Sequence, residues 1–154
     1  MTIKSELGKR GEDLACEYLI NKGYKVLDRN YRKPCGEIDV IARAPDKTLV
    51  FVEVKTMIGY KRERNDDNNN DHNNDPRNND HDNNNDKLMP EDQLTASKLG
   101  KLQKTAQLYT GHYPEKVSEK GWRIDLLAIR VNYDNDHDID KKANAPEVKH
   151  YENI

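Results

Sequence analysis

The sequence predicts a single α/β domain. Three observations carry this. Apolar residues recur at three- and four-residue steps in two separate segments, and four other segments have strand length and strand patterning. One of those four, around Val50–Val54, is apolar on both faces, as a central strand covered on both sides must be. The 154-residue length is that of one domain.

Ser5 can cap a first helix running to about Lys22, with Leu7, Gly11, Leu14, Ala15, Tyr18 and Leu19 as its apolar stripe. At about 100° per residue, Glu12 falls roughly 20° beyond Leu19, at the stripe's edge. Gly23 supplies the stop. Residues 24–31 read as a first strand, ended by the polar Arg32-Lys33-Pro34 turn. Residues 36–43 read as a second, with Ile38, Val40 and Ala42 on one face and Glu37, Asp39 and Ile41 on the other. Pro45-Asp46-Lys47 makes a tight connection, so these strands and the next form an antiparallel meander.

Residues 48–56 give the strongest strand signal. Val50, Val52 and Val54 face one way and Leu49, Phe51, Glu53 and Lys55 the other. Further on, Leu99, Leu102, Ala106, Tyr109 and Tyr113 keep helical spacing, with Asp92 or Thr95 as the cap and Lys98 at the stripe's border. Residues 122–131 read as a last strand with Arg123 and Asp125 on one face, more often a structural pair than a binding one. Tyr18, Tyr24, Tyr31, Tyr109 and Tyr113 have the periodicity of core residues. His112, His137 and His150 fit no triad or ligand spacing.

The domain is expected over residues 1–131, interrupted by a disordered Asn/Asp-rich insert at about 61–91 and followed by a polar tail at 132–154, disordered or loosely docked. The insert distorts the averages. Overall, 34% of residues are apolar and 35% charged, the border of what can bury a core. Yet the 22 residues Asn65–Asp86 hold 11 Asn and 7 Asp and no apolar side chain. Removing them and the tail leaves 22 basic and 15 acidic residues, so a net −2 chain conceals a +7 domain. That balance is compatible with a polyanionic partner. An acidic insert beside an active site would repel DNA, although the plainer expectation is a harmless bulge; weak cation binding by His72 and His81 carries less weight.

Cys16 and Cys35 form no CxxC or Cys/His spacing, and no secretory signal or membrane-length apolar run is visible, so free thiols in a cytoplasmic protein are expected.

Chemistry concentrates in Glu12, Asp39, Glu53 and Lys55. Alternation makes Glu53 and Lys55 neighbours on one face, Asp39 comes from an adjacent strand, and Glu12 from the rim of a helix that must pack on the same sheet. Converging carboxylates repel unless a cation sits between them, and an all-oxygen set selects Mg²⁺ or Mn²⁺ over zinc. Such an ion can polarise a phosphodiester, and Lys55 would stabilise charge on the phosphoryl oxygens. From spacing alone the plainer account weighs more: an exposed strand end, a turn cap and a solvated helix residue.

The wider pattern alters that balance. Gly11-Glu12-x-x-Ala15-x-x-Tyr18-Leu19, Gly23-Tyr24, Arg29-Asn30-Tyr31-Arg32, Gly36-Glu37-Ile38-Asp39-Val40-Ile41 and Phe51-Val52-Glu53-Val54-Lys55-Thr56 occur in order. They are followed by Lys98-x-x-x-Leu102-x-x-x-Ala106-x-x-Tyr109 and Arg123-x-Asp125. Over residues 5–56 and 94–131 the chain resembles the YraN-type family of bacterial proteins, identified as predicted endonucleases. The resemblance implies a restriction-endonuclease-like mixed central sheet flanked by helices, similar to archaeal Holliday-junction resolvases. It implies Asp39 and Glu53 as metal ligands, the Val54 carbonyl as a third, Lys55 as catalytic lysine and Glu12 as the helix carboxylate completing the site. Met57 stands where the family usually has Arg, removing one expected phosphate contact.

The expected activity is therefore a Mg²⁺- or Mn²⁺-dependent DNA endonuclease of the PD-(D/E)xK type, on branched or recombination-intermediate DNA. Arg29, Arg32, Lys98 and Arg123 are its weaker nucleic-acid contacts, and each alone reads more readily as a solvated basic residue. A homodimer is compatible with the resemblance, since related resolvases act on two strands. The alternatives are a non-catalytic nucleic-acid-binding module and a scaffold in repair or recombination.

Overall fold

The computed structural model describes residues 2–60, 94–133 and 145–154. The insert, the Asp92 cap candidate and the first part of the tail lie outside the described residues. Helix α1 spans Ile3–Asn21 and is capped one turn earlier than expected: Thr2, not Ser5, accepts the Ser5 N–H. Gly23 follows at φ +84°, in the left-handed region where glycine carries no Cβ penalty. Strands β1 (Lys25–Lys33), β2 (Gly36–Arg43) and β3 (Leu49–Tyr60) then form the antiparallel meander. Helix α2 (Ala96–His112), capped by the Thr95 side chain, carries the chain over to β4 (Trp122–Tyr133), which pairs parallel to β3 along its length.

A fifth strand corrects the expectation of a loose tail. Glu147–Tyr151 forms β5, antiparallel to β4, and closes a sheet of order β1-β2-β3-β4-β5. Its short, polar sequence hides the element, because much of its anchoring comes from one buried carboxylate on β4. Asp125, fully buried, accepts from Arg123 Nε at 2.9 Å and from the Asn153 backbone N–H at 2.9 Å. His150 Nε2 lies 2.8 Å from it, and since a carboxylate only accepts, that nitrogen carries the proton.

The two faces of the sheet hold separate cores. Val40, Ala42, Val50, Val52, Leu127 and Ile129 pack with Ala15 and Leu19 of α1. Ile38, Ile41, Leu49, Phe51 and Ile124 pack with Leu102, Ala106 and Tyr109 of α2. Tyr31 and Phe51 each meet Tyr109 edge-on at 5.0 and 5.6 Å, the core role their periodicity indicated. The architecture is the α/β, restriction-endonuclease-like mixed sheet flanked by helices. Among the described residues, no helix is long and apolar enough to cross a membrane.

Strand β2 departs from simple alternation. Ile38 joins the α2 core, whereas Val40 and Ala42 join the α1 core, so the face changes at Asp39. Opposite it, between the pairs Arg29↔Val40 and Tyr31↔Ile38, stands Asn30 at φ +52°, a left-handed conformation that Asn tolerates better than most residues. The irregularity frees Asp39 from either core.

Candidate active site

The β2–β3 ladder ends at the pair Val40↔Val52. One residue further along β2, Asp39 Oδ2 accepts the Val54 N–H at 2.7 Å, taking the place of the next ladder acceptor. Because N–H and C=O of one strand residue lie on the same side of the strand, the Val54 carbonyl faces this opening too. Glu53, one residue back, points to the α2 face and is 1% exposed. Lys55 Nζ lies 3.0 Å from Glu53 Oε1, and Lys98 Nζ, from the first turn of α2, lies 2.5 Å from the same oxygen. Glu53 Oε2 is buried with no hydrogen-bond partner.

The electrostatics follow from this burial. Asp39 is half-buried with Glu53 beside it, and desolvation followed by the Glu53 charge push its carboxyl from 3.8 up to about 7. The Val54 N–H pulls against that, Glu12 adds a smaller push upward and Lys98 a smaller pull downward. Burial lowers the Lys98 ammonium, but the hydrogen bond and charge of Glu53 outweigh it, so Lys98 is raised.

The donor set fits a hard divalent cation. Two carboxylates and a carbonyl are all oxygen, the orphaned Oε2 lacks a partner, and Mg²⁺ keeps several waters, so two protein carboxylates suffice. Glu12 does not close a three-carboxylate cluster: among the described residues, no group of three or more His, Cys, Asp or Glu is placed to hold a metal ion. Glu12 Oε2 instead accepts from Asn30 Nδ2 at 2.8 Å and lies 3.9 Å from Arg29. It acts on Asp39 through charge alone.

The four weaker candidates separate. Lys98 is inside the site rather than at its rim. Arg29 is held by Asp13 at 2.6 Å, and Arg32 faces Glu37 at 3.4 Å with both exposed. Arg123 serves Asp125, which shares the α1 side of the sheet with Leu127 and Ile129, so Arg123 faces away from Glu53. Sequence reasoning missed Asn30, whose only signal was an Asn inside a strand pattern, and the direct Lys98–Glu53 contact, signalled by the position of Lys98 at the stripe border.

One glycine explains how α1 sits so close. A Cβ on Gly11 would lie 1.7 Å from Thr56 Oγ1, so the helix touches β3 where the site strand continues.

Comparison with known proteins bears on this arrangement. The model of the uncharacterised protein family UPF0102 matches residues 11–129. A UPF0102 protein of Dictyoglomus turgidum is 34% identical over 124 residues, 80% of this chain and 81% of that protein. One from Desulforamulus reducens is 30% identical over 152 residues, 97% of this chain and 95% of the other. One from Thermodesulfovibrio yellowstonii is 52% identical over 56 residues, 36% of this chain and 49% of that protein. The YraN-type family that the sequence motifs resemble is this same family. The chain belongs to the uncharacterised protein family UPF0102.

Proposed function

We propose that the protein is a divalent-metal-dependent DNA endonuclease, acting on branched or recombination-intermediate DNA. The single observation behind this reading is Glu53: a carboxylate 1% exposed within the central strand β3, just past the point where its pairing with β2 stops, with one oxygen held by two lysines and the other orphaned. Burying such a group costs several kcal/mol unless something binds it, so a fold that keeps it there has a use for it. Asp39, Glu53 and the Val54 carbonyl would hold Mg²⁺ or Mn²⁺. When bound, the ion supplies Lewis-acid stabilisation of charge on phosphoryl oxygens.

The residues of the chain do the rest. Asp39 is fixed by the Val54 N–H, so its free oxygen has a set direction. Lys55, 22% exposed, can leave Glu53 for a phosphoryl oxygen at little desolvation cost. Lys98 offers a second ammonium on the same side. The restriction to branched DNA rests on the resemblance to resolvases.

The test is incubation with linear and four-way-junction DNA in Mg²⁺ or Mn²⁺, beside Glu53→Ala and Lys55→Ala. The expected result is nicking by the wild type and its loss in both variants. Equal nicking by all three proteins refutes the site. A second reading, a non-catalytic nucleic-acid-binding module, is favoured by the lysines themselves: two ammoniums on Glu53 already neutralise it without a metal. Binding of junctions without any nicking would select that reading.

A further inference from the structure

Beside the Glu53 site lies a cleft of about 500 Å³, between the β1–β2 turn and the start of α2. Its walls include Arg32, Lys33, Lys98 and Lys101, four cations against the single carboxylate of Glu37. Glu37 is spent on Arg32, whereas among the described residues no carboxylate faces Lys33 or Lys101. Thr95 and Ser97 add hydroxyls at the same wall. Lys98 lines the cleft and also touches Glu53, so cleft and site are continuous.

We infer that this cleft holds an unpaired strand of nucleic acid, gripping its phosphates and feeding it toward Glu53. The inference rests on the nucleic-acid reading above and narrows its substrate to one with single-stranded character. Size carries the first step. A cleft of this volume falls within the range of about 300–1,000 Å³ that encloses small-molecule-sized groups, the scale of a nucleotide or two rather than of a whole duplex. At that scale an extended strand can enter. Charge carries the second step, since a groove of one sign of charge tracks a phosphate backbone. Chemistry carries the third: no aromatic side chain lines the cleft, so bases have nothing to stack on and contact is with phosphates irrespective of sequence.

Cys35 lines the same cleft and is half-exposed, while Cys16 is buried, so one thiol reports on occupancy. The experiment measures binding of a fluorescent single-stranded oligonucleotide, and of a duplex of equal length, without divalent metal. The proteins are the wild type, Lys33→Ala/Lys101→Ala, and a control, Lys22→Ala/Lys120→Ala, which removes equal charge elsewhere. Losing two phosphate contacts should weaken single-strand binding about 10-fold near 0.1 M salt and flatten its salt slope by about 1.4. The control and the duplex should change less than about 2-fold, and the oligonucleotide should protect Cys35 from alkylation.

Equal weakening of duplex and single strand, or of both double variants, overturns the cleft assignment. So does alkylation of Cys35 undiminished by saturating oligonucleotide. Because no cleavage is needed, the two proposals fail separately. Cleft-dependent binding with no nicking leaves this inference standing and removes the nuclease. Nicking with cleft-independent binding does the reverse.

Discussion

Replacing Asp39 by Asn probes the site without any substrate. Folding carries the Asp39 carboxyl from 3.8 to about 7, because burial and then the Glu53 charge disfavour its ionised form. A group whose folded value is raised contributes its full stability below the unfolded value and loses it as pH rises through the folded one. Below about pH 4 both states hold the proton and Asp39 adds no slope. Between about 4 and 7 the unfolded chain has released it and the folded one has not, so stability falls with rising pH by up to roughly 1.4 kcal/mol per unit. Across the window this reaches about 4 kcal/mol at most, and partial solvent access brings the expected figure to about 2–4 kcal/mol. Asn has no charge to release and still accepts the Val54 N–H. Urea unfolding of both proteins at pH 4 to 8, in a chelator, should show Asp39→Asn gaining that amount on the wild type toward pH 8. Saturating Mg²⁺ should restore the wild type at pH 8 and leave the variant unmoved. Two stability curves that stay parallel from pH 4 to 8 would refute the account of a repelled carboxylate pair.

Four further outcomes follow from the packing and the buried charges. Asp125→Ala strands the half-buried Arg123 and the His150 ring and should cost about 3–5 kcal/mol by denaturant unfolding, with β5 amides losing hydrogen-exchange protection first. Burial raises the Asp125 carboxyl, but hydrogen bonds from His150, Arg123 and the Asn153 N–H lower it further, so its contribution is present above 3.8 and lost as pH falls through the folded value; Asp125→Asn should flatten that acid limb. Gly11→Ala drives a Cβ into Thr56 and should destabilise by about 1–2 kcal/mol after the gain in helix propensity, partly recovered by Thr56→Ala, as thermal melts would show. Lys98→Met keeps the aliphatic stem but takes one ammonium from Glu53, costing about 1–3 kcal/mol in chelator, with a smaller loss in Mg²⁺; a loss unaffected by Mg²⁺ counts against an ion at Glu53.

What could be read from the sequence was whatever periodicity encodes. Both helices, the four longer strands and the opposed faces of β3 follow from local patterns whose burial the sheet then realises. Two things escaped for one physical reason, that a single polar contact made at long range leaves no period. Strand β5 is held to Asp125 across 25 residues by His150, a histidine with no motif spacing. The face change at Asp39 depends on Asn30 in the neighbouring strand, so strict alternation put Ile38 and Val40 together where they separate. Glu12 was legible as a residue at the rim of α1 but not as a partner of Asn30, since the helical wheel fixes a direction and not a distance.

The two functional readings differ in charge rather than in architecture. With Asp39 holding its proton, two ammonium groups face one carboxylate at Glu53, and the site is poised for an anion such as a phosphate. With Asp39 ionised and Glu12 near enough to push on it, carboxylates match or outnumber the lysines, and the balance turns toward a cation. A folded value of about 7 puts both states within reach of neutral pH, so neither a metal nor a phosphodiester need displace the other's ligands wholesale. A cation held by Asp39 and Glu53 would offset the pull of Glu53 on Lys55 and Lys98, and the Lys98 ammonium lines the cleft. Metal occupancy should therefore tighten phosphate binding at the cleft. A pure binding module gains nothing from that coupling, whereas a nuclease needs its ion and its strand in place together.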